Sequence, residues 1–307
     1  MRPATAGLPE VTVVLTTHNR RVWLERCVDS VYRQHDVSFE LVVVDDASAD
    51  GTMEWLRTID DPRVAVIRLP QQSGLSAARN RGLAEARGQF VMFLDDDDWL
   101  ERGALRKLSA GLAAHPEAVA AVGARRVWFT TEDYARRDSH PHVPRLRNIV
   151  DDLLVDWSAV SGQNLYRTAL VRRIGGYDPS VVQCEDRDLW LRLAVLGPVV
   201  LRPEIVMTYR YHPGQTTRPA NLRQLREKVA RTAIQTLPAA RRPYALRLRR
   251  TTWLLDEAED AFTTGRVSSG VAHALRAVAN TPAIFLSPLV GPWTLRRLGG
   301  RLARRFT

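Results

Sequence analysis

"FVMFLDDDDWL", residues 90–100, carries an apolar run into four adjacent carboxylates and then returns to Trp99 and Leu100. Like charges about 4 Å apart repel by roughly 1 kcal/mol per pair in water, and by more where water is scarce. Asp95, Asp96, Asp97 and Asp98 therefore either spread over a solvated loop or gather around something positive. The surrounding pattern decides between the two. "VTVVLT" (11–16), "FELVVVDD" (39–46) and "RVAVIRL" (63–69) are three earlier apolar runs. Helical spacing separates them: Trp23, Leu24, Cys27, Val28 and Val31, then Thr52–Ile59, then "LSAARNRGLAEA" (75–86) with Gly88 as a stop. Strands that are apolar throughout and separated by single helices predict a parallel sheet covered on both faces. Such sheets bind ligands outside the carboxyl ends of their strands. Thr16, Thr17 and His18 end the first strand, Asp45 and Asp46 the second, and the four aspartates the fourth. Three strand ends thus converge on one crevice, and two of them are acidic.

The rest of the chain is less regular. Leu105, Leu108 and Leu112 mark a helix, "AVAAVGARRVWF" (118–129) a strand, and 130–148 a loop in which His140 and His142 read as surface residues rather than ligands. "SAVSGQNLYR" (158–167) looks extended, and "ALVRRIGGYD" (169–178) reads as a helix ended by two glycines. "CEDRDLWLRLAVLG" (184–197) is a helix that turns Leu189, Trp190 and Leu193 inward, and "IVMTYRYH" (205–212) is a late strand. From Leu222 onward the pattern is helical, and it ends with Leu295, Leu298, Leu302 and Phe306 interleaved with arginines.

The totals exclude several classes. With 307 residues and 45% hydrophobic side chains, the chain can bury a large core. Its formal charge of +10 is uneven: twelve arginines face four acids from Arg241 onward, while 32 bases face 30 acids before it. The basic excess belongs to the tail, so no nucleic-acid partner is expected. Two cysteines form no disulfide framework or metal motif and suit a reducing compartment. The start "MRPATAGLPEV" lacks a signal-peptide apolar core, and no apolar run reaches the ~18 residues needed to span a bilayer. These features predict a cytoplasmic protein. The terminal basic amphipathic helix is the one segment suited to peripheral contact with the membrane inner face.

The acidic cluster therefore lies where an α/β sheet places ligands. Hard oxygen donors suit Mg²⁺ or Mn²⁺, which use one or two carboxylates plus phosphate oxygens. Arg79, on a helix whose first turn points toward the crevice, could meet phosphate or ribose, while Arg81 reads as solvated. Glu185 and Asp186 open a helix just before its apolar face. An acid there is either an ordinary helix-end charge or a base that takes a proton from a hydroxyl. A nucleotidyltransferase and a non-catalytic nucleotide- or carbohydrate-binding protein are the rival classes. The first would want a glycine-rich loop after the first strand, and "TTHNRR" has no glycine.

In order, "VVLTTHNR", "LVVVDDASADGT", "GLSAARNRGL", "FVMFLDDDDWL", "GGYD", "EDRDLWLRL" and "YRYHPGQTT" resemble the family-2 glycosyltransferases of GT-A fold, over about residues 10–217. The resemblance implies a Rossmann-like, mostly parallel sheet with helices on both faces, in a catalytic domain at 1–217 with a nucleotide-sugar half at about 1–98 and an acceptor half at about 99–217. The helical pattern beyond it adds a C-terminal helical extension at 218–307. The implied reaction is inverting transfer from a nucleotide-diphosphate sugar, UDP or dTDP, to a hydroxyl of a saccharide, glycolipid or natural product, with Mg²⁺ or Mn²⁺ on the diphosphate. By the same resemblance Thr16, His18, Asp45, Asp46 and Arg79 bind the nucleotide. Asp95 and Asp97 are the outer members of the DxD motif, with Asp97 the main metal ligand and Asp96 near ribose or metal. Asp186 is the general base with Glu185 beside it, and His212 matches a position that reaches metal or diphosphate in some relatives. Position alone assigns Trp157 and Gln163 to the acceptor. His18 stands where relatives carry a tyrosine that stacks on the base, and "QQSG" replaces an asparagine common before "GLSAARN".

Overall fold

Seven consecutive buried residues, Val11–Thr17, make the strand β1 around which the sheet is built. The structure is a computed structural model that describes residues 7–130, 134–137, 145–155, 157, 159–213 and 222–286. After β1 come α1 (Arg21–Tyr32), β2 (Phe39–Asp45), α2 (Thr52–Leu56), β3 (Val64–Arg68), α3 (Leu75–Glu85) and β4 (Phe90–Asp95). The second quarter of the chain supplies β5 (Trp99–Leu100), α4 (Ala104–Ala114), β6 (Ala120–Phe129), β7 (Tyr134–Arg137), β8 (Arg145–Arg147) and α5 (Val150–Leu154). Then follow β9 (Asn164–Arg167), α6 (Thr168–Arg173), α7 (Glu185–Ala194) and β10 (Val199–Tyr211). Three helices close the described chain: α8 (Leu222–Thr236), α9 (Arg242–Thr263) and α10 (Val267–Asn280).

The strands lie in the order β3-β2-β1-β4-β9-β6-β10-β5, with β7 added to β6 and β8 to β10. The first four are parallel, as their uniform apolarity predicts. The sheet is mixed beyond them: β9 runs antiparallel to both β4 and β6, and β5 antiparallel to β10. Alternation along each strand divides the core. Val13, Leu15, Leu41, Val43, Met92 and Leu94 meet α1 and α4 on one face. On the other, Val14, Val91 and Phe93 meet α5 and α7 together with Val229, Leu248 and Leu255 of α8 and α9. The helical C-terminal region thus shares a core with the sheet.

Two details position the site. The helix α3 lies so close to β1 that a Cβ on Gly82 would sit 2.3 Å from Val14 Cγ1. The stretch read as extended over 158–167 is strand only at Asn164–Arg167, and β10 is far longer than its apolar end at 205–212. No described helix is long and apolar enough to cross a membrane. His140, His142 and the terminal amphipathic segment lie outside the described residues.

Candidate active site

The carboxyl ends of β1, β2 and β4 lie side by side, since Thr16 pairs with Val44 on one side and Asp95 on the other. That register brings the three polar strand ends together. The Asp46 carboxylate accepts the amides of Ser73 at 2.7 Å and Gly74 at 2.9 Å, and so fixes the loop that opens α3. His18 Nδ1 donates to the Asp46 carbonyl at 2.6 Å, which leaves Nε2 to accept from Asn19 Nδ2 at 2.9 Å. The buried Thr16 hydroxyl has no hydrogen-bond partner among the described residues. Asp45 differs from its neighbour. It is fully buried and caps its own turn through the Ser48 amide, so it shapes the loop without facing the crevice.

The acidic run is held by cations of the chain itself. Arg20, the residue after "THN", places Nη1 2.5 Å from Asp97 Oδ2 and 3.3 Å from Asp96 Oδ1. His212 Nε2 lies 3.2 Å from the same Asp97 oxygen, and its ring rests edge-on against Trp23 with centroids 4.1 Å apart. Burial, reinforced by the Asp97 charge, lifts the Asp96 carboxyl to about 7. Asp98 is driven well above the carboxylate range by burial and by Asp97 and Asp95, although Arg210 donates its amide to it at 2.9 Å. The Arg210 guanidinium sits among Trp23, Trp99 and Trp128, about 5 Å from each ring centre, and ties β5 and β10 to this corner. Asp97 offers a carboxylate oxygen of the kind Mg²⁺ and Mn²⁺ accept, and the imidazole nitrogen of His212 suits the transition metal of the two, Mn²⁺, better than Mg²⁺. No group of three or more acidic, histidine or cysteine side chains surrounds one point among the described residues. A cation here would draw on few protein ligands and complete its shell with water or phosphate oxygens.

Arg79 departs from its expected place. It is 1% exposed, and its donors go to Asp95 Oδ1 at 2.7 Å, Ser161 Oγ at 2.7 Å and Asp186 Oδ1 at 3.0 Å, with Glu185 Oε1 at 3.7 Å. Expected on the crevice surface against the nucleotide, it instead lies beneath it as a clamp between the end of β4 and the start of α7. A buried guanidinium needs several partners, and the acids supply them. Burial opposes its charge, but Asp186, Asp95 and Glu185 reverse that and hold its pKa well above the arginine norm. Burial in turn raises Asp186 and Glu185, against the pull of Arg79. Arg81 lies on the exposed side of α3, paired with Glu85.

Two acceptor assignments need correction or relocation. Gln163 is sealed in the interior, where its Nε2 donates to the Gly123 carbonyl at 2.7 Å and its Oε1 accepts the Val160 amide at 3.3 Å. It ties the turn before β9 to β6 and, at 1% exposure, does not face the crevice. Trp157 is half-buried against the large core beneath α5 and α7. Sequence reasoning missed Arg20, Ser161 and Tyr177. The strand-end rule already pointed at Arg20, two residues beyond His18, whereas Ser161 comes from a loop that no pattern places.

Residues 12–175 match the sequence model of Glycosyl transferase family 2, and the chain belongs to that family. It is 40% identical over 106 residues to the succinoglycan biosynthesis protein ExoO of Rhizobium meliloti (strain 1021), covering 34% of this chain and 30% of that protein. A longer match, 30% identical over 224 residues, covers 68% of this chain and 70% of the uncharacterized protein MT1568 of Mycobacterium tuberculosis (strain CDC 1551 / Oshkosh). In shape the chain resembles S. aureus TarS 1–349, solved in complex with UDP-GlcNAc, with TM-score 0.66 and 16% identity over 95% of this chain and 89% of that one. The fold is GT-A. Of the three classes the sequence left open, family membership selects glycosyl transfer.

Proposed function

We propose that this glycosyltransferase moves a sugar from a UDP- or dTDP-sugar to a hydroxyl with inversion of configuration, and that Asp186 is its general base. The observation that carries this is the Arg79 bridge, which holds Asp186 at the start of α7 beside Asp95 at the end of β4, where Asp186 forms the wall next to the acidic run. A donor diphosphate lying over Asp95–Asp97 would present its anomeric carbon toward that wall. The acceptor hydroxyl gives its proton to Asp186 as its oxygen bonds to the anomeric carbon. The bond from that carbon to the diphosphate breaks, and its electron pair leaves on the phosphate oxygen. Burial raises Asp186 above an ordinary aspartate, which strengthens it as a base. Mg²⁺ or Mn²⁺ held by Asp97 and His212, with Asp95 and Asp96 alongside, would supply positive charge against the departing diphosphate. Arg20, 2.5 Å from Asp97 Oδ2, adds positive charge beside the acidic run. Thr16, His18 and Asp46 line the end where the nucleotide base would rest, and the unpaired Thr16 hydroxyl is suited to a ligand there.

The donor reading draws support from TarS, whose solved complex contains UDP-GlcNAc. The acceptor is proposed to be a growing saccharide, in line with the name of ExoO as a succinoglycan biosynthesis protein, and a lipid-linked form of it is proposed as well. Contact with a membrane surface is proposed through the C-terminal helices and the basic segment that follows them. Asp186→Asn is expected to abolish release of UDP from a UDP-sugar, by 100-fold or more for a lost base (~10²–10⁴), while calorimetry still detects donor binding. Turnover at the wild-type rate would remove Asp186 from the role.

A further inference from the structure

The "GGYD" segment, residues 175–178, follows α6 and carries a tyrosine to the Asp186 carboxylate. Tyr177 is buried, and its hydroxyl donates to Asp186 Oδ1 at 3.1 Å. Its backbone is pinned on both sides by Asn80 of α3: the Tyr177 amide donates to Asn80 Oδ1 at 2.8 Å, and Asn80 Nδ2 donates to the Tyr177 carbonyl at 2.7 Å. Gly176 makes that clasp accessible. It sits at φ +69°, and a Cβ there would fall 2.4 Å from Asn80 Oδ1. The Tyr177 ring stands edge-on to Phe93 at 4.9 Å, with the Arg79 guanidinium 4.9 Å from its centre. The phenol is therefore fixed by backbone, ring and cation together.

The two oxygens of Asp186 are not alike. Arg79 Nη1 at 3.0 Å, Tyr177 Oη at 3.1 Å and Ser161 Oγ at 3.3 Å all converge on Oδ1. Among the described residues, Oδ2 has the Ser161 hydroxyl at 3.5 Å as its one hydrogen-bond donor, while the side chain as a whole is 27% exposed. Ser161 accepts from Arg79 Nη2, so its single proton is the one it offers Asp186. We propose that Tyr177 is a positioning residue that locks Asp186 through Oδ1 and leaves Oδ2 as the atom that takes the acceptor's proton. This rests on the reading of Asp186 as base. When water or a sugar hydroxyl attacks, its proton passes to Oδ2 while Oδ1 keeps its donors.

The charged and titratable groups facing Asp186 are Arg79 from α3, Asp95 from β4, Glu185 on its own helix, Tyr166 from β9 and Tyr177 itself. The Tyr177 hydroxyl favours the ionised carboxylate, so its loss raises the pH at which the base becomes available. The test uses the full chain with Mn²⁺ and follows UDP release from UDP-GlcNAc, UDP-glucose and UDP-galactose, with whichever is turned over fastest. Tyr177→Phe keeps the ring and is expected to lower kcat about tenfold, leave the donor KM unchanged, and move the acid limb of the kcat profile up by about half to one pH unit. Asp186→Asn is run beside it. If D186N is inactive and Y177F behaves as wild type, the inference falls and the base survives. A lower kcat with an unmoved acid limb makes Tyr177 merely structural and also overturns it. An active D186N removes both readings.

Discussion

Arg20 and Arg79 divide the acids of the crevice between them, and their burial separates their roles. Arg79 is sealed and has three polar partners, so replacing it would strand charges in the interior. The Arg20 side chain is about a quarter exposed and, among the described acids, pairs with Asp96 and Asp97. It stands where a divalent cation would be drawn, and two positive groups compete for one carboxylate oxygen. Arg20→Ala is therefore expected to bind Mn²⁺ alone about three- to tenfold more tightly, because a repelling charge is gone and a carboxylate is freed. Calorimetric titration with manganese chloride, without nucleotide, measures this. Affinity equal to or weaker than wild type would show that Arg20 helps to shape the cation site. The dense run at 95–98 announced the site in the sequence because adjacent like charges demand a counter-charge. What it did not announce was that arginines supply much of that charge, since the partners of a guanidinium depend on how α3 and α7 approach, over a separation of 107 residues from Arg79 to Asp186.

At the level of elements, the parallel half was legible and the antiparallel half much less so. The strands β1 to β4 carry their signal in continuous apolar runs, because both faces are covered. Strand β9 is four residues long and β5 two, so neither has room to display a period. Strand β10 breaks its register twice against β6, which hides its length in the sequence. Gln163 shows the same limit: it lies in the turn just before β9, and a polar residue there looks exposed until its partner on β6 is known. Another buried polar residue ties the legible half together. Glu40 in β2 accepts the Thr12 hydroxyl at 2.7 Å, and its side chain also receives the amide and guanidinium of Arg87. Burial works against its charge, but those donors outweigh it and hold the carboxyl below its ordinary value. A depressed carboxylate stabilises above its unfolded pKa, and that stabilisation fades as the pH falls through the lower folded value. Glu40→Gln should cost about 1–3 kcal/mol at pH 7 by stranding these donors. In urea unfolding the gap to wild type should narrow steadily from pH 6 to pH 3. A gap that stays constant across that range would locate the loss in packing rather than charge.

Across the molecule as a whole, the acids gather at the strand ends, while α8 packs onto α7, α9 onto α5 and α10 onto α9, so that the three helices add to the core rather than standing apart. The inner side of α10 carries Gly270, where a Cβ would lie 2.6 Å from the Phe262 ring, and the buried Ala277. Its outer side is a different surface. Val267, Val271, Leu275 and Val278 follow at i, i+4, i+8 and i+11 and are all more than 40% exposed, with Trp253 and Leu286 also open. An apolar helix stripe in water, in a region where twelve arginines face four acids, has the two ingredients of interfacial binding. Apolar burial and attraction to anionic lipid should then both be measurable, and separable. Full-length protein is expected to co-sediment with vesicles containing phosphatidylglycerol and to pellet much less with pure phosphatidylcholine. Salt should weaken the binding, since the charge contribution is screened within about 8 Å at physiological ionic strength. Val271→Glu with Leu275→Glu lies on the exposed face and leaves the α9 contact intact, so it should fold as wild type while losing several-fold of its vesicle binding. Equal pelleting of the variant and the wild type would detach α10 from the membrane, and equal pelleting with neutral and anionic vesicles would remove the electrostatic part of the proposal.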